Sequence, residues 1–205
     1  MIALKTIFAQ IKISMTEKDF SSLSYTTLKE EGVVAYSSPS NIALVKYWGK
    51  RENQIPANPS ISFTLAACVT KTSVQYKKKE QHSDEYSFDL LFEGEAKEEF
   101  KPKINTFLKR IVAYLPFLKD YHFIINTSNS FPHSSGIASS ASGMSALALC
   151  VMSLEKELNP TISEEYFNKK ASFLARLGSG SACRSIEGEL IVWGNHKEIE
   201  GSSNL

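Results

Sequence analysis

One run of small residues limits what this chain can become. SSGIASSASG, at 134–143, follows a β-type stretch, YHFIINT at 121–127. It precedes residues 144–158, rich in alanine, leucine and methionine, which read as a buried helix. Strand, nearly bare loop and helix together let backbone N–H groups close on an anion, aided by the partial positive charge where the helix begins. Small residues equally allow a helix to pack close to its neighbours, and composition alone leaves both readings open. The run lacks the Gly-Lys-Ser/Thr ending of a Walker A loop and does not match G-x-G-x-x-G.

Around it the pattern is α+β. Residues 32–38 are β-rich and lead through Pro39 into NIALVKYWGK, 41–50, a strand or a strand followed by a turn. RENQIPANP, 51–59, is loop, and β-type runs follow at 60–65, 69–76 and 86–92, which read as an antiparallel meander. From Phe100 the period changes: Ile104, Phe107, Leu108, Ile111 and Leu115 form one helical stripe that stops before Pro116, with Lys103, Lys109 and Arg110 assigned to the opposite face. A second helix runs from Ser163 to about Leu177, with Glu164 and Glu165 in its first turn, and a last strand spans 189–193. No repeat or linker is visible, so residues 31–205 read as a single layered domain with an antiparallel or mixed sheet and helices on one face. Residues 1–30 form a leader, frayed or strand-adding, because Lys5, Gln10 and Lys12 interrupt its apolar run and no cleavage pattern follows.

Two further segments carry chemistry. LGSGSACRS, 177–185, presents backbone amides, hydroxyls and the Arg184 guanidinium within a few residues, a set suited to a phosphate or carboxylate; a Gly/Ser turn with a surface arginine fits the same letters. In NIALVKYWGK, Lys46, Tyr47 and Lys50 crowd together after Asn41, and a pair of snorkelling surface lysines fits equally.

Charge narrows the partners. Lys+Arg 23 against Asp+Glu 22 gives a formal net charge of +1, so no overall field draws the chain to nucleic acid or an anionic bilayer. No window approaches the roughly 18 to 20 apolar residues of a membrane span. Cys68, Cys150 and Cys183 are odd in number and lack metal-ligand spacing, which reads as reduced thiols in a cytoplasm, with Cys183 a small buried hydrophobe rather than a nucleophile. His82, His122 and His196 have no partner in the pattern; His133 stands beside the small-residue run, as an exposed loop residue or a phosphate contact.

Together NIALVKYWGK, PANPSISFTL at 56–65, FPHSSGIASSASG at 131–143 and GSGSACRS at 178–185 resemble, in order, the mevalonate diphosphate decarboxylases of the GHMP kinase superfamily. A small-residue loop alone would indicate only the superfamily; KYWGK and GSGSACR are the decarboxylase's own strings. The resemblance covers about 37–193, with 77–119 matching only in layout. It implies a GHMP-kinase-type N-terminal domain with a left-handed β-α-β unit. The implied reaction is ATP-dependent decarboxylation of mevalonate 5-diphosphate to isopentenyl diphosphate, with magnesium bridging the ATP phosphates and no metal ligand from the protein.

Carried over by motif, Ser135, Gly136, Ala138, Ser139, Ser140 and Ala141 would lie along the ATP phosphates. Tyr47, Lys50, Ser179, Gly180, Ser181 and Arg184 would hold the substrate diphosphate and its neighbouring groups. Asn41 and Arg184 would orient the departing carboxylate, and Lys46 would place charge near the reacting groups. The resemblance also implies a cytoplasmic enzyme, often a homodimer. Two departures stand out. The family's catalytic aspartate has no counterpart here, Asp84 and Asp120 lying in unmatched segments, so the expectation is an N-terminal portion of a longer enzyme, lacking the C-terminal domain and inactive alone. Ile186, Glu187, Gly188 and Glu189 replace an aromatic and two glycines, which bears on substrate identity. A superfamily kinase that stops after phosphorylating mevalonate or its phosphate, and an inactive nucleotide- or partner-binding half-domain, are the rival readings.

Overall fold

The computed structural model describes residues 15–21, 25, 27–81, 83–133 and 135–205. His82, Ser134 and residues 1–14 of the expected leader lie outside them.

The spine is β2 (Ser60–Lys78), a single strand where the sequence reads as two runs. It pairs antiparallel with β1 (Glu31–Val45) along its length, with β5 (Tyr121–Asn129) over its second half, and with β6 (Leu190–Trp193) over its first four residues. β1 runs through Pro39 because the proline sits at a slip in register: Pro39 faces Val69 and Ser40 faces Leu65, so residues 66–68 of β2 bulge out. A residue with no N–H to donate is tolerated at such a break.

The expected meander is corrected. β5 lies between β2 and β3 (Ser87–Phe92), and β3 is parallel to β5, with the two-residue β4 (Glu95–Ala96) outside it. Chain between β3 and β5 passes through α1 (Lys101–Ile111), which gives the crossover that a parallel pair requires. Hydrophobic alternation marks which residues are strand but not which strand each one pairs with.

Helices cover one face of the sheet, as expected. Val34, Thr72, Val74, Tyr76, Leu90, Phe123 and Ile125 point inward, while Val33, Ala35, Lys71, Gln75 and Asn126 remain exposed on the other face. α2 (Ser139–Leu158) is buried on nearly every side and starts five residues before the alanine- and leucine-rich pattern, because serine and glycine in its first turn hide the period. α3 (Glu164–Gly178) begins as expected at Ser163, whose hydroxyl accepts from the Tyr166 amide at 3.2 Å. A buried pair, Lys170 Nζ to Glu155 Oε1 at 2.5 Å, joins α3 to α2, and Tyr25 donates to the same carboxylate oxygen at 2.6 Å. Burial lowers the Lys170 pKa against the opposing pull of Glu155. Breaking one partner of such a pair costs about 3–5 kcal/mol, so α3 delivers the segment after it from a fixed place. Among the described residues no helix is long and apolar enough to cross a membrane.

Candidate active site

The site forms where β1 loses its register. On either side of the slip Ser38, Ser40 and Asn41 are all buried, so two consecutive residues reach in opposite directions without meeting solvent. Ser40 donates a short hydrogen bond to the carbonyl of Ile137, in the small-residue loop. Asn41 donates to Ser185 Oγ at 2.7 Å and to the Ser181 carbonyl at 3.2 Å, in the 3-10 turn Gly180–Ser185 that follows α3. Ser38 ties the same turn to α2, through the Ser185 carbonyl at 3.0 Å and Ser145 Oγ at 2.7 Å.

On the loop side, the chain enters α2 through two left-handed residues. Gly136 has φ +83, which glycine adopts freely, but Ala138, the residue capping α2, holds φ +55 against the preference of an L side chain. Strain of this kind, about 1–3 kcal/mol, persists only where the surroundings impose it. Ala141 is buried and Thr70 Oγ1 meets Ser142 Oγ at 2.6 Å, fixing the first turn on β2. A cavity of about 380 Å³ opens beside this turn, lined by Ser139, Ser140 and Gly143, by Thr70, Thr72 and Thr127 of the sheet, and by Phe92, Phe100 and Ile104. Hydroxyls, apolar and aromatic walls and a helix start together suit a molecule with an anionic tail and a flat apolar head. His133 lines it as well, its ring 5.4 Å from Phe92 and 5.3 Å from Phe100.

On the other side charge is buried. Arg184, 4% exposed, donates to Ser60 Oγ at 2.6 Å, and its guanidinium lies 5.9 Å from the Tyr47 ring and 5.7 Å from the Trp193 ring. Burial lowers its pKa below the usual arginine value, yet an arginine keeps its charge in a protein. Arg184 Nε, Asn41 Oδ1, Ser62 Oγ and Trp193 Nε1 are buried without a hydrogen-bond partner, a costly state unless a ligand completes it. Lys50 stands at the rim, its ammonium 5.7 Å from the Tyr47 ring and bonded to Gln54 Oε1 at 2.7 Å. Gly180 makes room for it: a Cβ there would meet Trp193 at 3.0 Å and the Lys50 Cε at 3.2 Å.

Tyr47, Lys50, Gly180 and Arg184 therefore converge, and Asn41 joins them through the turn. Ser179 and Ser181 stand half-buried in that turn, the Ser179 carbonyl accepting from Ala182 N at 2.7 Å. Lys46 is apart: its side chain is exposed and its carbonyl is held by Asn58 Nδ2 at 3.1 Å. Lys103 is exposed, as expected for that face, and also lines the cavity, where desolvation and the nearby charge of Lys50 lower its pKa. Its spacing, four residues before Phe107, was the available signal, since i and i+4 share a helix face. Ser40, Ser60 and Ser185 are not marked out by the sequence, because each hydroxyl sits inside or beside a recognised string but is defined only by its partner, and neither is Trp193, which reads only as a strand residue. Among the described residues no group of three or more His, Cys, Asp or Glu could hold a metal ion.

Comparison with known proteins agrees with this architecture. Residues 38–204 match the model of the diphosphomevalonate decarboxylase-like N-terminal domain. The diphosphomevalonate decarboxylase of Ganoderma lucidum is 33% identical over 183 residues, 82% of this chain and 43% of that protein. The crystal structure of mevalonate diphosphate decarboxylase from Staphylococcus aureus superposes with a TM-score of 0.64 and 33% identity, over 80% of this chain and 46% of that one. A solved chain described as MDDEF in complex with MVAPP, AMPPCP and magnesium gives 0.63 and 34%, over 80% and 46%. The chain thus spans less than half the length of each of these three relatives. On the extent of the family match and the shared fold, this chain belongs to the diphosphomevalonate decarboxylase-like N-terminal domain family.

Proposed function

We propose that these residues bind Mg-ATP and mevalonate 5-diphosphate side by side for ATP-dependent decarboxylation to isopentenyl diphosphate, in a cytoplasmic setting. The carrying observation is the buried pair Asn41 and Arg184, each with an unpaired polar atom, joined through consecutive strand residues to a small-residue loop at a helix start. The neighbour holding MVAPP, AMPPCP and magnesium supports the same ligand set. Cys68, Cys150 and Cys183 are free thiols, which supports a reducing compartment.

A 3-hydroxy acid has no electron sink for the pair released when carbon dioxide leaves. ATP would supply one by phosphorylating the tertiary hydroxyl, turning it into a leaving group. As phosphate departs, positive charge builds at that carbon and the electrons of the breaking carboxylate bond quench it. In this chain the amides and hydroxyls of Ser135, Gly136, Ala138, Ser139, Ser140 and Ala141 would hold the ATP phosphates, whose charge magnesium would help to neutralise. The cavity walls Phe92, Phe100 and Ile104 would take the apolar end. Lys50, Tyr47, Ser179, Gly180 and Ser181 would hold the diphosphate. Arg184 and Asn41 would fix the carboxylate, so that its breaking bond lines up with the departing group. Lys46, exposed here, would add charge at the rim.

The test is coupled release of ADP and carbon dioxide from mevalonate 5-diphosphate, ATP and magnesium, using the full-length gene product. Equal amounts of both support the reading; ADP without carbon dioxide would make the protein a superfamily kinase instead, and neither product from a folded protein would favour a binding module.

A further inference from the structure

Lys50 is held by a turn that carries its own strain. Asn53 and Gln54 are consecutive non-glycine residues at φ 54 and 62, and side chains other than those of asparagine and aspartate rarely accept this region. Main-chain bonds close the turn, Arg51 N to the Ile55 carbonyl at 2.7 Å and Ile55 N to the Glu52 carbonyl at 3.2 Å. Two side-chain contacts pin it from opposite ends. Gln54 Oε1 takes the Lys50 ammonium at 2.7 Å, and Asn53 Nδ2 donates to Glu17 Oε2 at 3.3 Å.

Glu17 is itself anchored. Its other oxygen pairs at 2.8 Å with Arg176, whose side chain is 1% exposed, and three residues later the same turn of segment drops Phe20, wholly buried, onto Phe173 at 5.2 Å. Arg176 sits in the last turn of α3, just before Ser179 and Gly180. Glu17 therefore links the Lys50 turn to the helix that leads into Ser179 and Gly180, against which Lys50 packs. It lies outside the residues, 38–204, that match the family.

We infer that Gln54 is a positioning residue for the Lys50 ammonium and that the Glu17–Phe20 segment holds it there, so that a stretch outside the family match sets diphosphate affinity. The inference rests on the assignment of Lys50 to the diphosphate. An ammonium has three donors; one bond to a neutral amide oxygen orients it, leaves two donors for phosphate oxygens, and leaves its charge undiminished. A carboxylate in place of that amide would hold the lysine equally well but cancel its charge.

Titration calorimetry with mevalonate 5-diphosphate and, separately, with Mg-AMPPCP tests this. Gln54→Glu should weaken the diphosphate about tenfold or more and leave the nucleotide within about twofold. Placed on a Lys50→Ala background, the same change should cost clearly less than it does with Lys50 present, since only direct repulsion remains. Glu17→Ala should weaken the diphosphate several-fold, with Glu17→Gln, whose single acceptor oxygen can serve Asn53 or Arg176 but not both, recovering only part of the loss. Hydrogen exchange reads the linkage without ligand: the Arg51 and Ile55 amides should exchange faster in Glu17→Ala, while those of α2 keep their rates. Diphosphate binding by the unsubstituted protein, unchanged by Gln54→Glu, would overturn the inference alone. Failure of the unsubstituted protein to bind the diphosphate would overturn the assignment of Lys50, and the inference with it.

Discussion

The two halves of the site meet at Ser40 and Asn41 and are built on opposite plans. The loop half has almost no side chains: Gly136, Ala138, Ser139 and Ser140 offer backbone and short hydroxyls beside an apolar cavity. The other half consists of buried side chains, Arg184 and Asn41 carrying unpaired polar atoms, with the Lys50 ammonium at the rim. Where recognition is by backbone, deleting a side chain removes little and changing a φ angle matters. Where it is by buried charge, deleting one side chain strands its neighbours.

The contrast can be broken in descending order of effect. Arg184→Met should cost about 3 kcal/mol of mevalonate 5-diphosphate binding, roughly a hundredfold, since it removes a charge-assisted donor and leaves Ser60 Oγ, which donates to the Val45 carbonyl, without the donor it accepts from. Calorimetry checks it, and a loss below threefold would mean that the buried guanidinium faces no ligand. Ala138→Val should cost about 1–3 kcal/mol of stability in urea melts, because a β-branched residue is forced to φ +55, whereas Ala138→Gly should be neutral or stabilising. Equal stability of the two would show that the loop does not keep this conformation. Ser140→Ala should change Mg-AMPPCP affinity by no more than a few-fold, since the neighbouring amides remain; a hundredfold loss would erase the distinction between the halves. Smallest is a pH effect shared by both regions. Burial pushes the thiols of Cys150, on the buried side of α2, and Cys183, beside Arg184, up to about 12 from an ordinary 9.0. The unfolded chain ionises them above about 9 while the fold keeps them protonated, so their contribution is complete below pH 9 and is lost as pH rises towards 12. At pH 8, iodoacetamide should label partly exposed Cys68 and spare the other two until the chain unfolds.

The same contrast governs how much could be read from the letters. The stripe Ile104, Phe107, Leu108 and Ile111, the cap at Ser163 and the strand content all follow local rules and are found where expected. The loop is legible for the same reason, as a bare stretch between a strand and a helix. Parallel pairing of β3 with β5 was not legible, because alternation carries no partner information. Nor were Ser60 under Arg184, Ser185 under Asn41 or Glu155 under Lys170, since a buried polar residue owes its place to a partner far away in sequence. Lys103 keeps the exposed face expected of it, and only the structure shows that its long stem also lines the cavity.

The most direct test of two adjacent but separate ligand sites is titration of mevalonate 5-diphosphate into the protein with and without saturating Mg-AMPPCP. One diphosphate should bind per chain in both cases, with Arg184→Met lowering its affinity and sparing the nucleotide's. Mutual exclusion of the two ligands would contradict the account, because a single shared anion site cannot hold an acid and its phosphoryl donor together.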